Sequence, residues 1–239
     1  NANLSNQHGQ NWAASSSFNG TPGAPNSVAR TNLAPMILNL AHFPLVPRST
    51  DAVTITASLL DEHTNGLAAT LWFRNASSVS PPAFSSTSLW DDGRHGDGLA
   101  GDGIYGAILP AQPNLTVIEF YVEASDLEGN RRTWPAPALD PNDAPLQQAN
   151  ALYQVDDGSY AGNQPIYRLI MTEAERAEIR SNHDSAPNSD AAMNATFVSV
   201  DGAESLLLYN VGVRNRGAGS RSAWPMNYRL SFPNDQRWK

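Results

Sequence analysis

The sequence predicts a mainly β protein: an antiparallel β-sandwich followed by an α+β region with too few elements to bury its own sheet. Three observations carry this. Apolar and polar residues alternate with a period of two in several short segments between residues 53 and 124. Seventeen glycines and seventeen prolines punctuate 239 residues, which supplies the turns an antiparallel fold needs. Beyond residue 150 the pattern changes to a strand, one helix and then three strands.

The elements follow in order. Residues 1–34 are polar and rich in Asn, Ser, Gly and Pro, with one expected strand around Asn11–Ala14 and an extended exit at Gly20–Asn26. Val53, Ile55, Ala57 and Leu59 alternate with Thr54, Thr56 and Ser58, the signature of a strand with one buried face. Leu71 and Phe73 repeat it after the Asn65-Gly66 turn. Ile118, Phe120, Val122 and Ala124 alternate with Val117, Glu119, Tyr121 and Glu123, so one face reads as core and the other as charged. Short strands at this spacing indicate an immunoglobulin-like sandwich over 35–137, with 138–152 as a linker and a second unit over 153–239. In that unit Ile166–Ile170 reads as a strand. Thr172 and Glu175 form a capping box for a helix to about Asn182. Ala195–Val200 and Leu206–Arg214 make a hairpin across Asp201-Gly202, and Tyr228–Phe232 is a further strand.

Composition excludes several classes of function. Cysteine is absent, so disulfides, thiolate metal sites and a cysteine nucleophile are ruled out. The net charge of −8 argues against a nucleic-acid partner, because no positive surplus exists to neutralise phosphates. No run approaches the ~20 apolar residues of a membrane-spanning helix. Lys239 is the only lysine, which leaves arginine as the basic residue available elsewhere.

Two segments could carry chemistry. The first is Asp91–Tyr105, where Gly96, Gly98 and Gly101 reproduce the spacing of a dinucleotide fingerprint. No helix start follows them, and four aspartates would repel a pyrophosphate, so that reading fails. The same acidity suits calcium, which takes six to eight oxygens, with Asp92, Asp97 and Asp102 as the ligand candidates. The competing reading is a set of Asp-Gly turns closed by Asx hydrogen bonds. The second segment is Asn210–Arg221, whose arginines flank a Gly-rich turn and could grip phosphate oxygens bidentately; the alternative is an Arg-decorated strand end.

The order of Tyr153–Val155, Pro165–Thr172, Ala195–Val198, Tyr209–Arg221 and Asn227–Pro233 resembles the amino-terminal part of the spore-coat-protein-H (CotH) kinase family over about residues 150–239. The Arg-Gly-x-Gly-Ser-Arg turn at 216–221 is the most specific part of the likeness. The Trp12–Asn26 stretch is similar to the closing strand of bacterial lamin-tail domains. The resemblance implies an incomplete kinase-like domain, an exported multidomain bacterial protein, and ATP with a divalent metal as cofactors of the full-length protein. It implies a supporting role on the nucleotide side for Arg216 and Arg221. The family's catalytic acidic residues lie further along the domain than Lys239, so no catalytic residue is assigned here and the chain by itself is expected to be inactive. The partner would be a protein substrate or a surface ligand. The alternative is a calcium-stabilised surface binding or adhesion module without catalysis.

Overall fold

The computed structural model describes residues 1, 4–5, 7–139, 142, 145–146, 148–159, 162, 164–200, 205–217 and 219–233. In chain order the strands are β1 (Met36–Phe43), β2 (Val53–Leu60), β3 (Ala68–Asn75), β4 (Ser85–Leu89), β5 (Ile104–Leu109), β6 (Val117–Ser125) and β7 (Arg131–Trp134). They continue as β8 (Ala138–Leu139), β9 (Pro145–Leu146), β10 (Ala151–Gln154) and β11 (Ile166–Ile170). A helix α1 (Glu173–Ser185) precedes β12 (Met193–Val200), β13 (Ser205–Asn215) and β14 (Tyr228–Ser231).

One sheet has the order β1-β2-β5 and the facing sheet the order β10-β6-β3-β4, with β7 also paired to β6; all pairings are antiparallel. The alternation expected in β2 is realised: Val53, Ile55, Ala57 and Leu59 are buried while the residues between them are half-exposed. Their partners in the core include Ile37, Leu71, Phe120, Val122 and Tyr153. Burying each such side chain contributes roughly 1.5–3 kcal/mol, so this cluster is the main source of stability for the sandwich.

The start of the chain differs from expectation. Asn11–Ala14 is not a strand; Gly9–Asn11 is a single 3₁₀ turn. Gln10 instead uses its side-chain amide as a piece of sheet. Its Nε2–H donates to the Ile37 carbonyl at 2.7 Å and its Oε1 accepts from the Ile37 N–H at 2.9 Å. That satisfies backbone groups on the outer edge of β1.

The region read as a linker also behaves differently. Ala138–Leu139 and Pro145–Leu146 form a short ladder. Most of the Asp140–Pro145 turn lies outside the described residues, as does the Asp201-Gly202 turn. Asn150, Ala151, Leu152 and Tyr153 are fully buried, because β10 pairs with β6 and is a strand of the sandwich. Tyr153, assigned by sequence to the second unit, is therefore core of the first. The period-two signal was too short over four residues to reveal this.

The second sheet has the order β11-β12-β13-β14, again antiparallel. The helix starts where the capping box places it: Thr172 accepts from the Glu175 N–H at 3.1 Å. It runs to Ser185, about three residues further than the sequence indicated. It buries Ile179 against Met171, Met193, Ala195 and Val213 on one face of the sheet. The other face meets the sandwich. Ile170 and Val198 pack on Ala76, Val117 and Leu152, and Tyr209 reaches the sandwich core itself.

Candidate functional site

The Asp/Gly loop connects β4 to β5 and lies against β2 and β5. Gly106 allows this approach: a Cβ there would sit 2.5 Å from the His95 carbonyl oxygen. The loop's carboxylates accept from its own backbone, and Asp97 alone of the four is buried. Asp97 is 1% exposed and accepts from the N–H groups of Asp92 at 2.7 Å, Gly93 at 2.8 Å and His95 at 2.9 Å. Burial pushes its carboxyl up, but those donors outweigh burial and hold it below the usual carboxylate range. Asp102 accepts from the Leu99 and Ile104 N–H groups at 3.0 and 2.9 Å. Asp92 pairs with His95 at 2.9 Å, and that hydrogen bond holds its carboxyl low. Asp91, which sequence reasoning did not single out, braces the far side by accepting from Gly101, Asp102 and Gly103.

Asp92, Asp97 and Asp102 are thus brought into one loop, with their oxygens engaged by backbone donors. No group of three acidic or histidine side chains among the described residues has the geometry to hold a metal ion. A cation entering here would compete with N–H donors for every one of these carboxylates.

The arginine segment follows β13. Arg221 is fixed by its surroundings: Nε donates to the Gly217 carbonyl at 2.7 Å, Nη1 to the Ser189 carbonyl at 3.2 Å and Nη2 to Asp190 Oδ1 at 2.9 Å. Arg214 donates to the same Asp190 oxygen. Arg216 is exposed; its backbone N–H bonds the Asn227 carbonyl at 2.8 Å, which carries the β13–β14 ladder one residue past the strand. Of the two nucleotide-side candidates, Arg221 closes the loop after α1 and Arg216 is open to solvent.

The junction between the sheets is the most elaborated polar region, and sequence reasoning missed it. Glu119, expected on a charged outer face, is 3% exposed. It accepts from Arg74 Nε and Asn150 Nδ2, both at 2.6 Å. Asn194 Nδ2 donates to the Asn150 carbonyl at 2.8 Å, Asn210 Nδ2 to the Ala149 carbonyl at 3.0 Å and the Leu152 N–H to Thr196 Oγ1 at 3.0 Å. Glu175 accepts from the Asn194 N–H at 3.0 Å, and burial pushes its carboxyl up to about 7.

Deeper in, His42 Nε2 lies 3.1 Å from the Leu45 carbonyl and Nδ1 lies 2.5 Å from the Tyr209 hydroxyl. A carbonyl can only accept, so Nε2 carries the proton and Tyr209 donates to Nδ1. Burial lowers the His42 imidazole to about 4, which keeps it neutral. The partners of this contact lie 167 residues apart, beyond the reach of any local sequence pattern.

Among the described residues no helix is long and apolar enough to cross a membrane. The sequence matches no protein-family model and no curated protein.

Proposed function

We propose that the chain is a fragment of an exported, multidomain, CotH-type kinase-like bacterial protein, in which an immunoglobulin-like sandwich acts as a rigid spacer presenting the second sheet. The observation that carries the spacer role is the junction. Tyr209 shares the sandwich core, Ile170 and Val198 pack on Leu152, and Asn150, Asn194 and Asn210 bridge the units by hydrogen bonds. A unit tied by apolar burial and satisfied polar groups keeps one orientation, as a presentation module must. Export and the kinase-like character rest on the resemblance in residues 150–239, and the acceptor would be a protein substrate or surface partner.

The test is phosphate transfer from labelled ATP with magnesium or manganese, measured on the full product of the gene and on residues 1–239. The full product is expected to transfer phosphate and residues 1–239 to be inactive. Absence of nucleotide binding by the full product removes the kinase-like reading. Robust transfer by residues 1–239 removes the assignment of the catalytic acids to a region beyond Lys239.

The second reading, a calcium-stabilised surface binding module, draws on the acidity of the loop that carries Asp92, Asp97 and Asp102. Its test is thermal unfolding with and without millimolar calcium. A rise in melting temperature abolished by Asp97→Asn with Asp102→Asn favours it, and superimposable curves remove it.

A further inference from the structure

Four of the fourteen arginines of this acidic chain lie within sixteen residues of one another at the β13–β14 end of the second sheet: Arg214, Arg216, Arg221 and Arg229. The strand register puts two of them face to face, since Arg214 is the partner of Arg229. Directly paired residues of an antiparallel ladder project from the same face, and like charges so placed repel. Arg216 follows on the same alternation, because its N–H extends the ladder through the Asn227 carbonyl.

One carboxylate answers this charge. Asp190 is bonded through Oδ1 by both Arg214 and Arg221. Arg216 and Arg229 have no ion-pair partner among the described residues. The burial is graded in a telling way. The side chains of Arg214 and Arg221 are 19% and 16% exposed, whereas Asp190 is 71% exposed and Arg216 and Arg229 face solvent. Two guanidiniums are held from behind and two are presented.

A carboxylate offers two oxygens and one charge, which Asp190 already supplies. The remaining surplus suits an oxyanion with three outward oxygens and two charges, a phosphate group, which arginine forks engage in pairs.

The face also has a defined position. Asn210 has φ +55°, and the β12–β13 register shifts between Ala195 and Phe197. This bulge advances the alternation by one residue, so Arg214 lies on the sheet face that carries Tyr209 into the sandwich core. Arg214, Arg216 and Arg229 therefore lie on the continuation of the sandwich-facing surface, past the point where the sandwich covers it.

We propose that Arg216 and Arg229, backed by Arg214 and with Arg221 fixing the loop, form a binding site for a phosphate group. This goes beyond the kinase-like reading, since it follows from strand register and charge and requires neither catalysis nor a nucleotide. The source of the phosphate is either a nucleotide or a non-nucleotide phosphate ester.

The experiment is calorimetric titration of residues 1–239 with pyrophosphate, ATP and adenosine at constant ionic strength. Wild type is expected to bind pyrophosphate and ATP but not adenosine. Arg229→Gln and Arg216→Gln, both at exposed positions, are each expected to weaken binding about tenfold, the size of one charge-assisted hydrogen bond. ATP binding more tightly than pyrophosphate assigns the source to a nucleotide. Equal affinities assign it to a phosphate ester and remove the nucleotide from the kinase-like reading while leaving this site in place. No binding of either anion, or binding that both variants retain in full with unchanged circular dichroism, overturns the proposal.

Discussion

Acidification should unfold this protein partly through one side chain, His42. The imidazole is 2% exposed, neutral and fully engaged between Tyr209 and Leu45. Its folded value is about 4 against 6.5 for a free imidazole. Because the folded value lies below the unfolded one, the unfolded chain takes up the proton first. Stability from this group is complete above about pH 6.5 and is lost as pH falls toward 4. The gap corresponds to roughly 3 kcal/mol in all, of which about 2 kcal/mol is gone by pH 5.

Glu175 works the other way. Its carboxyl is raised to about 7 from 4.5, so its contribution is present below pH 4.5 and lost as pH rises through 7. The two windows overlap, and the pH profile of the wild type alone would conceal both. The assay is therefore urea unfolding of wild type and His42→Gln at pH 7.5 and pH 5, compared as a difference. The wild-type advantage should shrink by about 2 kcal/mol at the lower pH. NMR titration of the His42 ring gives the same information without a variant. A difference that does not change with pH, or a ring that titrates near 6.5 in the folded protein, would refute the reasoning.

Two further outcomes follow from the loop and the helix. Gly106→Ala drives a Cβ to within 2.5 Å of the His95 carbonyl oxygen and 3.1 Å of the Asp97 Cβ, so the Asp/Gly loop must lift from β5. A loss of about 1–3 kcal/mol in denaturant unfolding is expected, and an unchanged midpoint would mean the loop does not rest there. Thr172→Ala removes the side-chain acceptor of the Glu175 N–H at the start of α1. It should cost about 1 kcal/mol in the same assay, with Thr172→Ser recovering most of it.

How much of this was legible beforehand depended on the range of the interaction. The β2 face, the α1 cap and the hairpin strands β12 and β13 are set by neighbours a few residues apart, and the sequence pattern located them. Asp91 and Gly106 were passed over because their roles depend on where the loop folds back, not on the motif itself. Glu119 was read as part of a charged face because its strand alternates correctly, whereas Arg74 of β3 and Asn150, just before β10, cover it. Asn150–Leu152 read as connection and Tyr153 as the start of the second unit because four residues of β10 are too few to show a period. The arginine cluster was visible as composition, but only the register of β13 with β14 shows Arg214 facing Arg229.

Native-state hydrogen exchange of residues 1–239 puts the spacer account at its greatest risk, because it reads the stability of the two sheets separately. If the junction makes one cooperative body, amides of β2 in the sandwich and of β12 in the second sheet should exchange with the same opening free energy, and denaturant should lower both in parallel. Amides of β12 that open at markedly lower free energy, while β2 stays protected, would contradict it: the second sheet would then be a separately folding unit that the sandwich does not hold in place.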